Sequence, residues 1–165
     1  MIVVVMGVSG CGKSTVGRAL ADAMDWPFFD ADDYHPPGNI AKMANGIPLE
    51  DADRFPWLER LRARMAEEAD AGRSAVLACS ALKEAYRTIL RRSAPDVRFV
   101  HLRGTPEEIL QLMSRRSGHF MKPGMLASQF AALEEPADAL TLPVLLTCEQ
   151  QVTRIRSHLF PAQTP

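Results

Sequence analysis

The chain has 165 residues, 47% of them hydrophobic, enough to bury the core of about one domain and leaving little room for a second. Its 19 basic and 20 acidic residues give a formal net charge of −1, so no overall field draws it to nucleic acid or anionic lipid, and any bound anion must be held locally. Three cysteines (Cys11, Cys79, Cys148) and four histidines (His35, His101, His119, His158) lack metal-ligand spacing, which argues against a disulfide framework or a structural zinc.

Met1 to Met6 is too short for a membrane span and has no basic flank, so the expectation is cytoplasmic residence without membrane partners. Within it, the β-branched run from Ile2 predicts a strand buried on both faces of a parallel sheet. A glycine-rich turn follows. Val16, Ala19, Leu20 and Ala23 then recur at helical spacing, predicting a helix over 13–24 that ends before Pro27. Residues 27–30 read as a second strand, ending in Asp30-Ala31-Asp32-Asp33. The segment 34–50 carries too many prolines and glycines for one long element, although 40–44 suits a short helix.

Asp51 or Asp53 is placed to cap a helix with Trp57, Leu58, Leu61 and Met65 on its apolar face, finishing near Gly72. Trp57 therefore reads as core. Residues 74–79 predict a third strand, Ser80 the cap of a helix through about Arg92, and 97–102 a fourth strand. Thr105 and Pro106 start the next helix, with Glu107 and Glu108 near its positive end. A helix over 122–133, a strand over 143–148 and a terminal helix over 151–159 complete an α/β alternation. A single domain over 1–165 is expected.

Gly7-Val8-Ser9-Gly10-Cys11-Gly12-Lys13-Ser14 satisfies G-x-x-x-x-G-K-[ST] between a predicted strand and a predicted helix, the P-loop context. Backbone N–H groups of such a loop face phosphate oxygens, the helix N-terminus adds positive potential, Lys13 reaches the β- and γ-phosphates, and Ser14 ligates magnesium. The loop, with Thr15 behind it, is the expected site for ATP and Mg2+. Cys11 is assigned no chemistry of its own.

A P-loop alone does not separate a kinase from a switch GTPase or a motor ATPase. No Asn-Lys-x-Asp sequence occurs, and neither of the strands over 74–79 and 97–102 ends in aspartate. The acidic strand end is Asp30-x-Asp32, which an open α/β sheet places on the P-loop's rim. Asp32 is assigned as the hydroxyl-orienting base and Asp30 as a group near the magnesium, because phosphoryl transfer asks mainly for positioning and modest proton acceptance.

The stretch from Asp30 through Tyr34-His-Pro-Pro-Gly-Asn-Ile-Ala-Lys-Met-Ala-Asn-Gly-Ile-Pro-Leu-Glu-Asp-Ala-Asp-Arg-Phe-Pro-Trp to Leu58 resembles the acceptor segment of bacterial gluconate kinases. Cys79-Ser-Ala-Leu-Lys-Glu-Ala-Tyr-Arg87 and Gly118-His119-Phe120 share that resemblance, which spans roughly 3–136. It implies ATP-dependent phosphorylation of D-gluconate to 6-phosphogluconate, in a three-layer α/β/α P-loop fold of the nucleoside-monophosphate-kinase type with a central parallel sheet and a helical lid. A homodimer is implied by the same analogy. A shikimate- or nucleotide-type kinase and a non-catalytic nucleotide-binding module are the alternatives.

Gluconate, a carboxylate on a chain of hydroxyls, needs a cation and several hydrogen-bonding groups. Arg54 is the candidate for the carboxylate, or else pairs with Asp51 or Glu50; His35, Asn39 and Lys42 are candidates for the hydroxyls or the acid end. Lys83 and Arg87, one turn apart on the predicted helix after Ser80, form a second basic candidate. Arg115 and Arg116 fall in the expected lid, near 113–136. One of them, with Arg116 preferred, is expected to neutralise charge on the transferring phosphate, and His119 to shape the lid or touch the acceptor.

Overall fold

The computed structural model describes residues 1–114 and 123–161, and side chains at 123–125 are left out of the description. Five parallel strands form one sheet in the order β2-β3-β1-β4-β5: β1 (Ile2–Met6), β2 (Phe28–Asp30), β3 (Ala75–Ala78), β4 (Val97–Arg103) and β5 (Leu140–Pro143). The described helices are α1 (Lys13–Met24), α2 (Pro37–Ala44), α3 (Asp51–Asp70), α4 (Glu84–Arg91), α5 (Pro106–Ser114), α6 (Pro123–Ala132) and α7 (Cys148–Leu159).

The apolar run of β1 explains its central place. Val3 and Val5 enter a core with Val16 and Leu20 of α1 and Ile155 of α7, while Ile2, Val4 and Met6 enter the opposite core with Leu58, Leu61 and Met65 of α3 and Leu90 of α4. A strand that is apolar at every position is what two-sided cover requires. Helix pairs on both faces give the three layers expected from the alternation. Because the chain runs from β1 out to β2, back to β3 and then across to β4, the reversal lies beside β1, and ligands of such sheets bind at the carboxyl ends there.

Three local expectations are corrected. Ser80 does not cap a helix: α4 starts only at Glu84, with Lys83 at its N-cap, and Ala81 takes a left-handed φ of 45° in the intervening loop. The last strand is 140–143 rather than 143–148, and Thr147 begins α7 through a reciprocal capping box with Gln150. Neither Asp51 nor Asp53 is the N-cap of α3. Glu50 holds that position, and Asp53 closes the box by accepting from the Glu50 N–H at 2.9 Å.

Candidate active site

The turn after β1 requires glycine at close quarters. A Cβ on Gly7 would sit 2.7 Å from the Leu102 carbonyl oxygen, and one on Gly10 would sit 2.6 Å from the Met113 side chain; φ is 140° and 84° at these two residues. The loop then delivers Lys13 and Ser14 to the first turn of α1. Lys13 Nζ donates to the Val8 carbonyl at 3.1 Å, across the mouth of its own loop.

Asp30 joins this loop to the acidic strand end. Its Oδ2 accepts from the Ser14 hydroxyl at 2.6 Å, and its Oδ1 accepts from the Asp32 N–H at 3.2 Å, capping the short 3₁₀ turn Ala31–Tyr34. That turn presents Asp32 to solvent, with a side chain 88% exposed. The parallel sheet thus puts two carboxylates and the P-loop serine on one rim, as the sequence implies. A hydroxyl beside a carboxylate is a set of hard oxygen donors suited to Mg2+, so the residues present fit that ion.

His35 follows the turn and is a wall of the site. Its ring stacks on Trp57 at 4.3 Å and 11°, and Nε2 lies 4.0 Å from Asp32 Oδ1. Burial holds the imidazole below its ordinary pKa, Asp32 opposing and the Arg54 charge reinforcing that shift, so it is neutral at pH 7. Trp57 is core, as its helical spacing predicts: it is 5% exposed, and Nε1 donates to the Ala31 carbonyl at 2.8 Å. It therefore braces the turn that carries Asp32.

The basic candidates divide. Lys42 is clasped by the Asp53 carboxylate at 2.6 and 2.8 Å. Lys83 is held likewise by Asp51 at 2.9 and 2.8 Å, and Arg54 lies 3.8 Å from Asp51 and 3.5 Å from the Tyr86 hydroxyl. These cations keep both aspartates below the usual carboxylate range, the lysine hydrogen bond being the largest cause in each case. Tyr86 donates to Asp51 Oδ1 at 2.5 Å. Sequence reasoning offered Asp51 as a partner for Arg54 but missed Tyr86 and Asp53 as members of this cluster. Tyr86 falls on the apolar side of α4, and its phenol is identifiable only once α3 is seen to cross it.

Asn39 and Arg87 turn inward. Asn39 is 5% exposed, and its amide nitrogen donates to the Asp53 carbonyl at 2.9 Å, tying α2 to α3. Arg87 is 1% exposed; Nη1 donates to the carbonyls of Ala81 and Leu82 at 3.0 Å each, and the guanidinium pairs with Glu84. With Lys83 at the cap, the two residues no longer form an exposed pair on one helix face. Arg87 instead supports the loop from which Lys83 reaches Asp51.

Arg115, Arg116 and His119 lie outside the described residues. Of the expected lid, α6 is described, and its Gln129 contacts the P-loop directly: Ser9 N–H donates to Gln129 Oε1 at 2.6 Å, and Gln129 Nε2 donates to Ser9 Oγ at 2.9 Å. Among the cysteines, burial pushes Cys79 up to about 12, so its thiol has no nucleophilic use at neutral pH.

The family model for shikimate kinase matches residues 9–135. A gluconokinase of Gluconobacter oxydans (strain 621H) is 48% identical over 135 residues, covering 82% of this chain and 76% of the relative. The thermosensitive gluconokinase of Escherichia coli (strain K12) is 48% identical over 133 residues, with 81% and 71% covered. A crystal structure of a gluconokinase from Sinorhizobium meliloti 1021 superposes with a TM-score of 0.85 at 39% identity, covering 98% of this chain and 97% of that one. Shikimate kinase from Aquifex aeolicus vf5, at 16% identity and a TM-score of 0.62, shares the fold. On these matches, the chain belongs to the gluconokinase family within the P-loop kinases.

Proposed function

We propose that this protein transfers the γ-phosphoryl group of ATP to the terminal hydroxyl of D-gluconate. The observation that carries the reading is the bridge from the P-loop to the acceptor side: Asp30 holds the Ser14 hydroxyl at 2.6 Å and, through its cap on the following turn, sets Asp32 on the same rim. The loop amides and Lys13 hold the nucleotide's phosphates. Ser14, with Asp30 behind it, would hold Mg2+, and the ion would supply charge neutralisation to the phosphates. Asp32 accepts the hydroxyl proton as its oxygen bonds to the γ-phosphorus and the bridge to ADP breaks.

Acceptor recognition falls to the lobe built by α2, α3 and α4. Arg54 and Lys83 form its cationic side, Asp51 and Tyr86 add hydrogen-bonding groups, and neutral His35 closes the wall beside Asp32. A polyol acid needs both kinds of partner. Lys42 belongs to the same lobe, and Arg115, Arg116 and His119 keep the lid roles that the family resemblance implies. Homodimerisation completes the reading on that resemblance alone, and cytoplasmic residence is kept as the default; among the described residues no helix is long and apolar enough to cross a membrane.

The test is Asp32→Asn, which preserves shape and removes the proton acceptor. Gluconate-dependent ADP release is expected to fall about 10²–10⁴-fold in kcat, with nucleotide affinity measured by calorimetry unchanged. Turnover near that of the wild type would overturn the assignment.

A further inference from the structure

Gln129 is half-buried in α6, 120 residues from the serine it binds, and it makes two hydrogen bonds to one residue of the P-loop. The orientation of its amide is dictated by chemistry. Ser9 N–H is a donor and nothing else, so the amide oxygen must face it; the NH2 group then faces Ser9 Oγ, which is obliged to accept. A serine hydroxyl has one proton. With a lone pair committed to Gln129, that proton is directed away from α6. The loop's ligand is a polyphosphate, whose oxygens are all acceptors.

We infer that Gln129 is a positioning residue for phosphoryl transfer: by pinning the Ser9 backbone and occupying an acceptor site on its hydroxyl, it makes Ser9 an obligate donor to the nucleotide's phosphate oxygens. The helix does not depend on this contact for its seat. Leu126, 3% exposed, enters the core cluster that includes Val8, Cys11 and Ile109, and Phe130 packs against the same cluster. Gln129 lies one turn from Leu126 on that side of α6 and is free to specialise in the loop. The inference rests on the P-loop reading of nucleotide binding, and it adds to the loop's own residues a group supplied from far along the chain.

The test combines Gln129→Met, which keeps length and helix propensity while removing both hydrogen bonds, with Gln129→Glu, Ser9→Ala and the Ser9→Ala/Gln129→Met double variant. Steady-state kinetics are read for each substrate, and ADP and a non-hydrolysable ATP analogue are titrated by calorimetry. Gln129→Met is expected to lower kcat/KM for ATP about tenfold, the scale of one or two hydrogen bonds, with the KM for gluconate within about twofold. Gln129→Glu is expected to be worse, since a carboxylate captures the Ser9 proton and sets a negative charge beside the phosphates. In the Ser9→Ala background the cost of Gln129→Met should shrink to about threefold or less, because only the backbone bond is left to lose.

Unchanged kcat/KM for ATP in Gln129→Met would overturn the inference. So would a loss of equal size with and without the Ser9 hydroxyl, which is the signature of a structural role. Thermal melts separate unfolding from both outcomes, and Gln129→Glu supplies the comparison if Gln129→Met is poorly folded. The calorimetric arm reads nucleotide alone, so it still judges Gln129 if gluconate proves not to be the acceptor.

Discussion

Arg87→Met sets two accounts of one residue against each other. An acceptor-binding arginine would, on replacement, raise the KM for gluconate and leave stability alone. The structure places Arg87 at 1% exposure with Nη1 shared between the carbonyls of Ala81 and Leu82. Methionine fills much of the side chain's volume but donates nothing, so the Ala81 carbonyl loses its donor in a loop where Ala81 already holds a left-handed φ of 45°, while the Leu82 carbonyl still accepts from the Glu134 N–H at 2.9 Å. Leaving one buried carbonyl unsatisfied costs roughly 2 kcal/mol, within the range of about 1–3 for such a group. The Glu84 pair adds little, because that carboxylate is half exposed and screened. For a domain of this size roughly 2 kcal/mol corresponds to a fall in Tm of about 6 °C. Differential scanning calorimetry and urea unfolding measure it. A Tm within about 2 °C of wild type, accompanied by a large rise in the KM for gluconate, would refute the reasoning and return Arg87 to the acceptor site.

Tyr86→Phe removes the phenol that orients Asp51 and is expected to raise the KM for gluconate by up to about tenfold, with the KM for ATP unaltered, in the same steady-state assay; equal effects on both substrates would dissociate Tyr86 from the acceptor lobe. Stability should fall as the solution is acidified below about pH 6.5, the ordinary histidine pKa. His101 is 1% exposed on β4, faced by Glu135 Oε2 at 3.4 Å and by the charges of Arg103 and Arg87, and burial holds its pKa below the ordinary value despite Glu135. A depressed folded pKa means the unfolded chain binds more protons, so stability is complete above the unfolded pKa and is lost as pH falls through it toward the folded one. Urea unfolding from pH 7.5 to 5.5 should show this loss, and His101→Gln should reduce it; a slope unchanged by His101→Gln would assign the loss to His35, whose pKa is shifted the same way.

Where the sequence is sufficient, the signal is local. The run from Ile2 to Met6 can be satisfied only by cover on both faces, and the P-loop glycines are tied to contacts that a Cβ would break. Asp30 and Asp32 are legible for a similar reason, since a strand end and two residues of chain fix their relation to Ser14. What sequence reading misses depends on crossings between distant segments. Tyr86 meets Asp51 only because α4 packs across α3, and Gln129 meets Ser9 only because α6 folds back over the P-loop. Arg87 is a matter of a boundary: α4 starts at Glu84, so Lys83 stands at the cap and Arg87 sits among the buried positions with Tyr86 and Leu90. The Thr147-x-x-Gln150 box was readable, and strand propensity after Pro143 obscured it.

The central claim is that the α2–α4 lobe serves gluconate. It is tested most directly by ADP release from Mg-ATP with gluconate, shikimate, glycerate and nucleoside monophosphates compared at equal concentration. The account predicts that gluconate alone drives rapid turnover and that the product carries phosphate on its terminal carbon. Preference for shikimate or a nucleoside monophosphate, or ATP binding without acceptor-dependent ADP release, would contradict it.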